Sequence, residues 1–443
     1  MKPRLVLALA AALSAGCGAK TGLLVPDVPD DRLDADVVDV PDAPTMPPEL
    51  CIDPDRQPGI PSVNLATRAQ LFVADVFFLI DRTGSMDGEI DNIKANLQAS
   101  IVPQIARAIG DVEFGVATYG DFPILMYGDG GDIPFTLVAP IDRSVANVQG
   151  ALNSVTAGGG GDNAEAMMEA LYQVATGEGY LPWIPARSPC AGPGRSGYAC
   201  FRREAQPIIV LVTDAPSHNG PPTGRGAPYL DSAFTNPVSC PASLPACRAA
   251  RGPHTWAETV SALTRLNARV IGVNSGTASL SGQPDLEQIA RATGAVTASG
   301  GALVITIRSD GADLDARVVS AVQTFTRQVR FNASARVLDR DPMRPATRVV
   351  AGVRPVSANP STSVQRIDAT TFYGVVPGTE LTFAVELVTP VVRTSVEQRY
   401  PARVQFLGDG RPNLGYRDVD IVIPPANVPC DADAGATLDA AVD

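Results

Sequence analysis

The chain has 443 residues, room for two domains, and carries 47 acidic against 35 basic side chains for a formal charge of −12. An acidic balance of this size argues against nucleic acid as the partner, because phosphate binding draws on clustered Lys and Arg. Enzyme chemistry is also poorly supplied: there are only two histidines, His218 and His254, and no Gly-x-Ser-x-Gly, His-Glu-x-x-His or Gly-x-x-x-x-Gly-Lys-Ser/Thr pattern.

In chain order, Lys2 and Arg4 precede an apolar stretch from Leu5 to Leu13 and then Ser14-Ala15-Gly16-Cys17. That is a secretory signal over residues 1–16, too short to span a membrane, which takes about 20 apolar residues. A cysteine after Ala-Gly resembles the lipobox of bacterial lipoproteins, which implies that Cys17 carries the lipid and opens the mature chain. Ser14 stands where that motif usually has Leu, so an ordinary signal peptide cut near Ala15, leaving a free Cys17, is the alternative. Gly18, with no Asp after the cysteine, leans toward the outer membrane by the same resemblance. Residues 17–50 alternate Asp, Pro and Val from Val25 onward and read as a disordered spacer, extended at up to about 3 Å per residue.

Residues 51–327 alternate in period as an α/β fold demands. Val76 to Ile80 is a short, bulky run that suits a strand covered on both faces, and it ends in Asp81-Arg82-Thr83-Gly84-Ser85-Met86. Open parallel sheets bind ligands beyond the carboxyl ends of their strands. There, Asp81, Thr83 and Ser85 offer a carboxylate and two hydroxyls, hard oxygen ligands suited to Mg²⁺, Mn²⁺ or Ca²⁺. The spacing from Ile90 to Ile109 predicts one amphipathic helix, and Val112 to Tyr119 the next strand. A helix is expected from Val145 to Val155, and another from Ala164 to Ala175, with Asp162 as its cap. Ile208 to Val212 is a strand ending at Thr213-Asp214. His254–Asn267 and Asp285–Thr293 read as helices around a strand at Arg269–Asn274. Two Gly- and Pro-rich insertions, residues 180–206 and 215–253, flank the strand before Asp214 and are expected near the metal face.

Seven cysteines less Cys17 leave six, an even number that favours three disulfides in an exported chain. Cys190–Cys200 and Cys240–Cys247 each lie within one insertion, and Cys51–Cys430 brackets the folded region. Zinc is the rival reading, without a Cys-x-x-Cys or a nearby His to support it.

Asp-x-Thr-x-Ser at Asp81, Glu113 to Asp121, Gly158 to Glu165 and Ile208 to Ala215 together resemble, in order, the metal-ion-dependent adhesion site of the von Willebrand factor A domain family. The resemblance covers roughly residues 67–314. It implies a doubly wound, mostly parallel sheet flanked by helices, a Mg²⁺ or Mn²⁺ ion, and a protein or other extracellular ligand that offers a carboxylate. The second loop, Gly158-Gly159-Gly160-Gly161-Asp162-Asn163-Ala164-Glu165, is similar to the integrin β-subunit variant. By that likeness Glu165 binds the adhesion-site metal and Asp162 a neighbouring Ca²⁺, although aligning on the glycines exchanges them. Asp214 would hold the metal through water. Glu89 and Asp121 stand where that variant has further calcium ligands, with Gly88 in place of an expected acid.

After residue 328 the texture changes to β-rich runs separated by Pro, Gly, Asn and Asp, which predict a smaller all-β sandwich over residues 328–429. Residues 430–443 form an acidic tail. The expectation is a non-enzymatic envelope lipoprotein, anchored through Cys17, that binds its partner through a metal-dependent adhesion site. The alternative is a structural envelope lipoprotein that uses no metal-mediated contact.

Overall fold

A computed structural model describes residues 48–55, 60–124, 126–235, 252–277 and 280–430. Cys17, the spacer as far as residue 47, the Cys240–Cys247 pair and the tail after Cys430 lie outside the described residues. In chain order the elements are β1 (Glu49–Cys51), β2 (Ser62–Arg68), β3 (Val73–Asp81), α1 (Asp87–Asn96), α2 (Val102–Ile109), β4 (Asp111–Tyr119), β5 (Thr136–Asp142), α3 (Val145–Leu152), α4 (Met167–Thr176) and β6 (Gln206–Thr213). They continue with α5 (Asp231–Thr235), α6 (Trp256–Leu266), β7 (Arg269–Asn274), α7 (Gln283–Ala292), β8 (Val304–Thr306) and α8 (Leu314–Gln328). The last seven strands are β9 (Phe331–Asp339), β10 (Val350–Asn359), β11 (Arg366–Ile367), β12 (Phe372–Val375), β13 (Glu380–Leu387), β14 (Gln398–Gly408) and β15 (Tyr416–Ile423).

The first layered unit is a six-stranded sheet in the order β5-β4-β3-β6-β7-β8, parallel except for β5. The middle of its central strands, Val76–Ile80 of β3 and Ile208–Val212 of β6, is apolar without a break because both faces are covered. Val76, Phe78 and Ile80 of β3, with Ile208, Val210 and Val212 of β6, point into a core shared with α1, α2 and α8. Phe77, Leu79, Ile209 and Leu211 point the other way, toward α4 and α6. The fold is therefore the doubly wound α/β sheet expected, accompanied by a separate β-rich unit.

Three local expectations change. The helix after β3 is interrupted by a π-turn at Leu97–Ile101, next to Pro103, which has no N–H to donate to the carbonyl four residues back. Asp162 does not cap α4, whose first turn follows Ala166 with no side-chain cap. Strand β5 was not legible as a strand: it carries Pro140 and lies at the sheet edge, where Pro is tolerated.

The sandwich pairs a six-stranded sheet, β1-β15-β14-β9-β12-β11, with a three-stranded one, β10-β13-β2. Leu65, Phe372, Phe383, Phe406 and Ile421 fill the space between them. The expected boundary at residue 51 is thus wrong. β1 lies parallel to β15, and β2 pairs along its whole length with β13, so the chain begins the sandwich, departs into the α/β unit and returns to finish it. The Cys51–Cys430 disulfide joins the two ends of this discontinuous unit across 379 residues. By loop entropy, closing so long a loop contributes about 5 kcal/mol or somewhat more.

The sandwich grips the α/β unit at the amino ends of its strands. Arg411, in the β14–β15 hairpin, donates to the carbonyls of Arg202, Arg203, Ala205 and Leu266, and Arg269 pairs with Asp409 at 2.5 Å. The Cys190–Cys200 disulfide is present, but its loop sits at this end and not, as expected, by the carboxyl ends of the strands. Arg195 binds Glu113 at 2.9 Å, and Arg202 binds Asp75, buried near the start of β3, at 2.7 Å.

His254, entering α6, is tied to α4: its backbone N–H and its Nδ1 both lie 2.9 Å from Glu169 Oε2. Burial alone would lower the imidazole, but the Glu169 carboxylate overrides it and holds the group above its ordinary value of 6.5. A raised folded value contributes stability that is full below 6.5 and is lost as pH rises through the folded value. His254→Gln should therefore cost about 1.5–3 kcal/mol at pH 5.5 and less at pH 8.5, as read by urea unfolding at both pH values. A gap independent of pH would refute the pairing.

Candidate metal centre

Asp81 is the last residue of β3 and is fully buried. Its Oδ1 accepts from the Thr83 amide at 3.0 Å and the Thr83 hydroxyl at 2.7 Å, and its Oδ2 accepts from the Thr213 hydroxyl at 2.7 Å. Burial still pushes the carboxyl up to about 7 against those bonds. Ser85 stands exposed in a single turn, Gly84–Met86, and its hydroxyl bonds the carboxylate of Asp214. Asp214, just past β6, is half-buried; its Oδ1 has no partner, and burial raises its carboxyl.

The glycine loop lies alongside these residues. Gly158 N–H donates to the Arg82 carbonyl at 2.8 Å, and Gly84 N–H to that of Gly159 at 3.2 Å. Asp132 clamps the loop by accepting from the Gly160 amide at 3.0 Å. Gly159 has a φ of +87°, and a Cβ there would collide with the Asp132 carboxylate, so only glycine fits. A Cβ on Gly160 would lie 3.5 Å from Thr83 Cβ and 3.7 Å from Glu165 Oε1, so Thr83 and Glu165 both border Gly160.

Glu165 is locked by its backbone to the loop after β6: its N–H donates to Pro216 O and its carbonyl accepts from His218 N–H, both at 3.0 Å. The residue is 3% exposed, and its carboxylate Oε2 is unpartnered. Burial, together with the nearby charges of Asp81, Asp121, Asp132 and Asp162, pushes the group up to about 11.

The structure therefore separates the two acids that the sequence left interchangeable. Glu165 turns inward toward Asp81 and Thr83. Asp162 is exposed, accepts from its own loop at Ala164 N–H, and lies 3.2 Å from His218 Nε2. Glu89 and Asp121 do not share a site. Glu89, buried on α1, faces Ser275, Asp214 and Asp310, and burial raises its carboxyl, whereas Asp121 groups with Asp162 and His218. Sequence reasoning missed Thr213, which holds Asp81, and Asp132, which sits in a polar Gly-rich stretch with no regular spacing to the other acids.

Among the described residues, buried side-chain oxygens without a hydrogen-bond partner include Glu89 Oε2, Asp121 Oδ2, Glu165 Oε2 and Asp214 Oδ1. Buried carboxylate oxygens normally find a donor, and a cation is the kind of partner that this set lacks. For Asp81, Thr83, Ser85, Glu165 and Asp214 the donors are all hard oxygen, which fits Mg²⁺ or Mn²⁺.

No protein-family profile and no curated protein matches the chain. Among solved structures it is similar to a von Willebrand factor type A protein from Catenulispora acidiphila, at 16% identity over 83% of this chain and 74% of that one, with a TM-score of 0.33. It is also similar to the pilus adhesin SpaC from Lactobacillus rhamnosus GG in its open conformation, at 12% identity over 83% of this chain, with a TM-score of 0.33. The match spans only 46% of that adhesin. Proximal thread matrix protein 1 from the mussel byssus shares 14% identity over 58% of this chain and 49% of its own, with a TM-score of 0.32. Likenesses this distant carry no weight in the functional reading.

Gly159→Ala forces an L-residue into a left-handed conformation against the Asp132 carboxylate. It should cost on the order of 1–3 kcal/mol in urea unfolding, and an unchanged midpoint would contradict the loop geometry.

Proposed function

We propose that the chain is an exported, lipid-anchored protein of a bacterial envelope that binds a protein partner through a Mg²⁺ or Mn²⁺ ion held by Asp81, Thr83, Ser85, Glu165 and Asp214. The observation that carries this reading is the pair of orphaned oxygens, Glu165 Oε2 and Asp214 Oδ1, flanking a carboxylate that is buried to the last atom. An ion bound there supplies a hard electrophilic position at which a partner's carboxylate replaces a water. Asp81 and Glu165 would contribute the negative charge, Thr83 holds Asp81 by a hydrogen bond, and exposed Ser85 marks the side open to a partner. Two disulfides, Cys51–Cys430 and Cys190–Cys200, favour an oxidising compartment. Among the described residues no helix is long and apolar enough to cross a membrane, and attachment is assigned to lipid on Cys17.

A structural role without metal is the second reading. It is favoured by one observation: both oxygens of Asp81 already have hydroxyl or amide donors.

Calorimetric Mg²⁺ titration separates the two. The wild-type chain should take up Mg²⁺, and Asp81→Ala should weaken uptake by more than the roughly 10–100-fold typical of losing a metal's outer-shell partner. No uptake by wild type at millimolar concentration would leave the structural role standing. For the anchor, Cys17→Ser should release the protein into the soluble fraction or block its processing. Full membrane retention of a cleaved Cys17→Ser protein would sink the lipid assignment.

A further inference from the structure

Next to the first centre, and joined to it through the His218 N–H bond to the Glu165 carbonyl, Asp162 and Asp121, which the resemblance assigned to calcium, meet a histidine that an oxygen-only site does not explain. Asp121, fully buried just past β4, has its Oδ1 occupied by the Phe122 amide at 2.7 Å and by the Tyr229 hydroxyl. Its Oδ2 has no hydrogen-bond partner and is aimed at His218 Nε2, 3.4 Å away. Across from it, an Asp162 oxygen lies 3.2 Å from the same nitrogen, and one ligand atom from each of the three residues falls within 4.8 Å of the others.

The imidazole is fixed in place. His218 Nδ1 lies 2.6 Å from the Ala227 carbonyl, an acceptor only, so Nδ1 carries the proton and donates it. In the neutral ring Nε2 then presents its lone pair to the two carboxylates, the arrangement by which a backbone carbonyl orients a metal-ligating histidine. The rings of Tyr127 and Tyr229, with centroids at 5.0 and 4.3 Å, hold the plane of the imidazole. Ligands about 2.1 Å from a shared ion are separated by roughly 3.0–3.4 Å along an octahedral or tetrahedral edge, which the 3.2 and 3.4 Å separations match. Asp162, whose side chain is 38% exposed, opens the group to solvent and gives an ion a way in.

We propose that Asp121, Asp162 and His218 form a second cation site that takes a transition-metal dication in preference to Mg²⁺ or Ca²⁺. The preference follows from the nitrogen: imidazole suits borderline ions, while Mg²⁺ and Ca²⁺ favour oxygen throughout. Two carboxylates and one neutral imidazole leave coordination positions for water.

The probe is Co²⁺ alone, added to the full chain and to Asp81→Ala, which lacks the first centre's principal acid. Both proteins should show Co²⁺-dependent visible absorption and one paramagnetically shifted imidazole N–H, readily assigned because the chain has only two histidines. His218→Gln should lose that shifted signal, and Asp162→Asn, altered at an exposed position, should bind Co²⁺ at least tenfold more weakly. Excess Ca²⁺ should not displace the ion. The proposal is overturned if wild type shows no shifted imidazole, if Asp162→Asn binds Co²⁺ as tightly as wild type, or if excess Ca²⁺ displaces it. Circular dichroism checks that His218→Gln is folded. Should it not fold, the wild-type resonance and Asp162→Asn decide the matter.

Discussion

Asp81, Asp121 and Glu165 set carboxylates with almost no solvent exposure at the open end of one sheet, and the rest of that end is arranged around the repulsion they create. Two like charges about 4 Å apart repel by about 4 kcal/mol at an effective dielectric of 20. A hydrogen bond to a charged group returns about 1.5–3 kcal/mol. The donors from Thr83 and Thr213 therefore stabilise Asp81 in place, but nothing comparable reaches Glu165 Oε2 or Asp214 Oδ1. Burial, with the Asp214 charge beside Asp81 and the charges of Asp81, Asp121, Asp132 and Asp162 around Glu165, holds both carboxyls far above the usual range. The neighbouring loops hold the arrangement by backbone bonds: Gly158 to Arg82, Gly84 to Gly159, and Glu165 to both Pro216 and His218.

Rigidity at the opposite end complements this. Arg202 is buried against Asp75, and Arg411 gathers four backbone carbonyls from the α/β unit. These contacts occupy the amino ends of β3, β6 and β7, so the sandwich is fastened where the strands begin and the carboxyl ends stay open. The consequence for function is directional: whatever binds at Ser85 and Asp162 approaches a face that the sandwich does not cover. An aromatic cluster of Phe122, Tyr127, Tyr229 and Phe234, with ring centroids 4.8 to 6.0 Å apart, shields the flank of the site at Asp121.

Much of this was legible in the sequence, because local spacing carried it. The run from Val76 to Ile80 announced a strand buried on both faces, and Asp81, Thr83 and Ser85 announced an oxygen-rich turn at its end. What escaped depended on distant pairings. β1 and β2 belong to the sandwich only because they meet β15 and β13 near the other end of the chain, and no local pattern marks that. The roles of Asp162 and Glu165 could not be separated until the loop was seen clamped by Asp132 and bridged to Ser217. The orientation of His218 was not legible either, since it comes from Ala227, nine residues onward in an insertion of irregular sequence.

The central claim is that the oxygens of Asp81, Thr83, Ser85, Glu165 and Asp214 surround a divalent cation. Anomalous diffraction from crystals of the protein grown with MnCl₂ tests it most directly. The account predicts a Mn²⁺ peak among the side-chain oxygens of Asp81, Thr83, Ser85, Glu165 and Asp214, about 2.1–2.3 Å from those that bind it directly. Crystals with no peak there would contradict it.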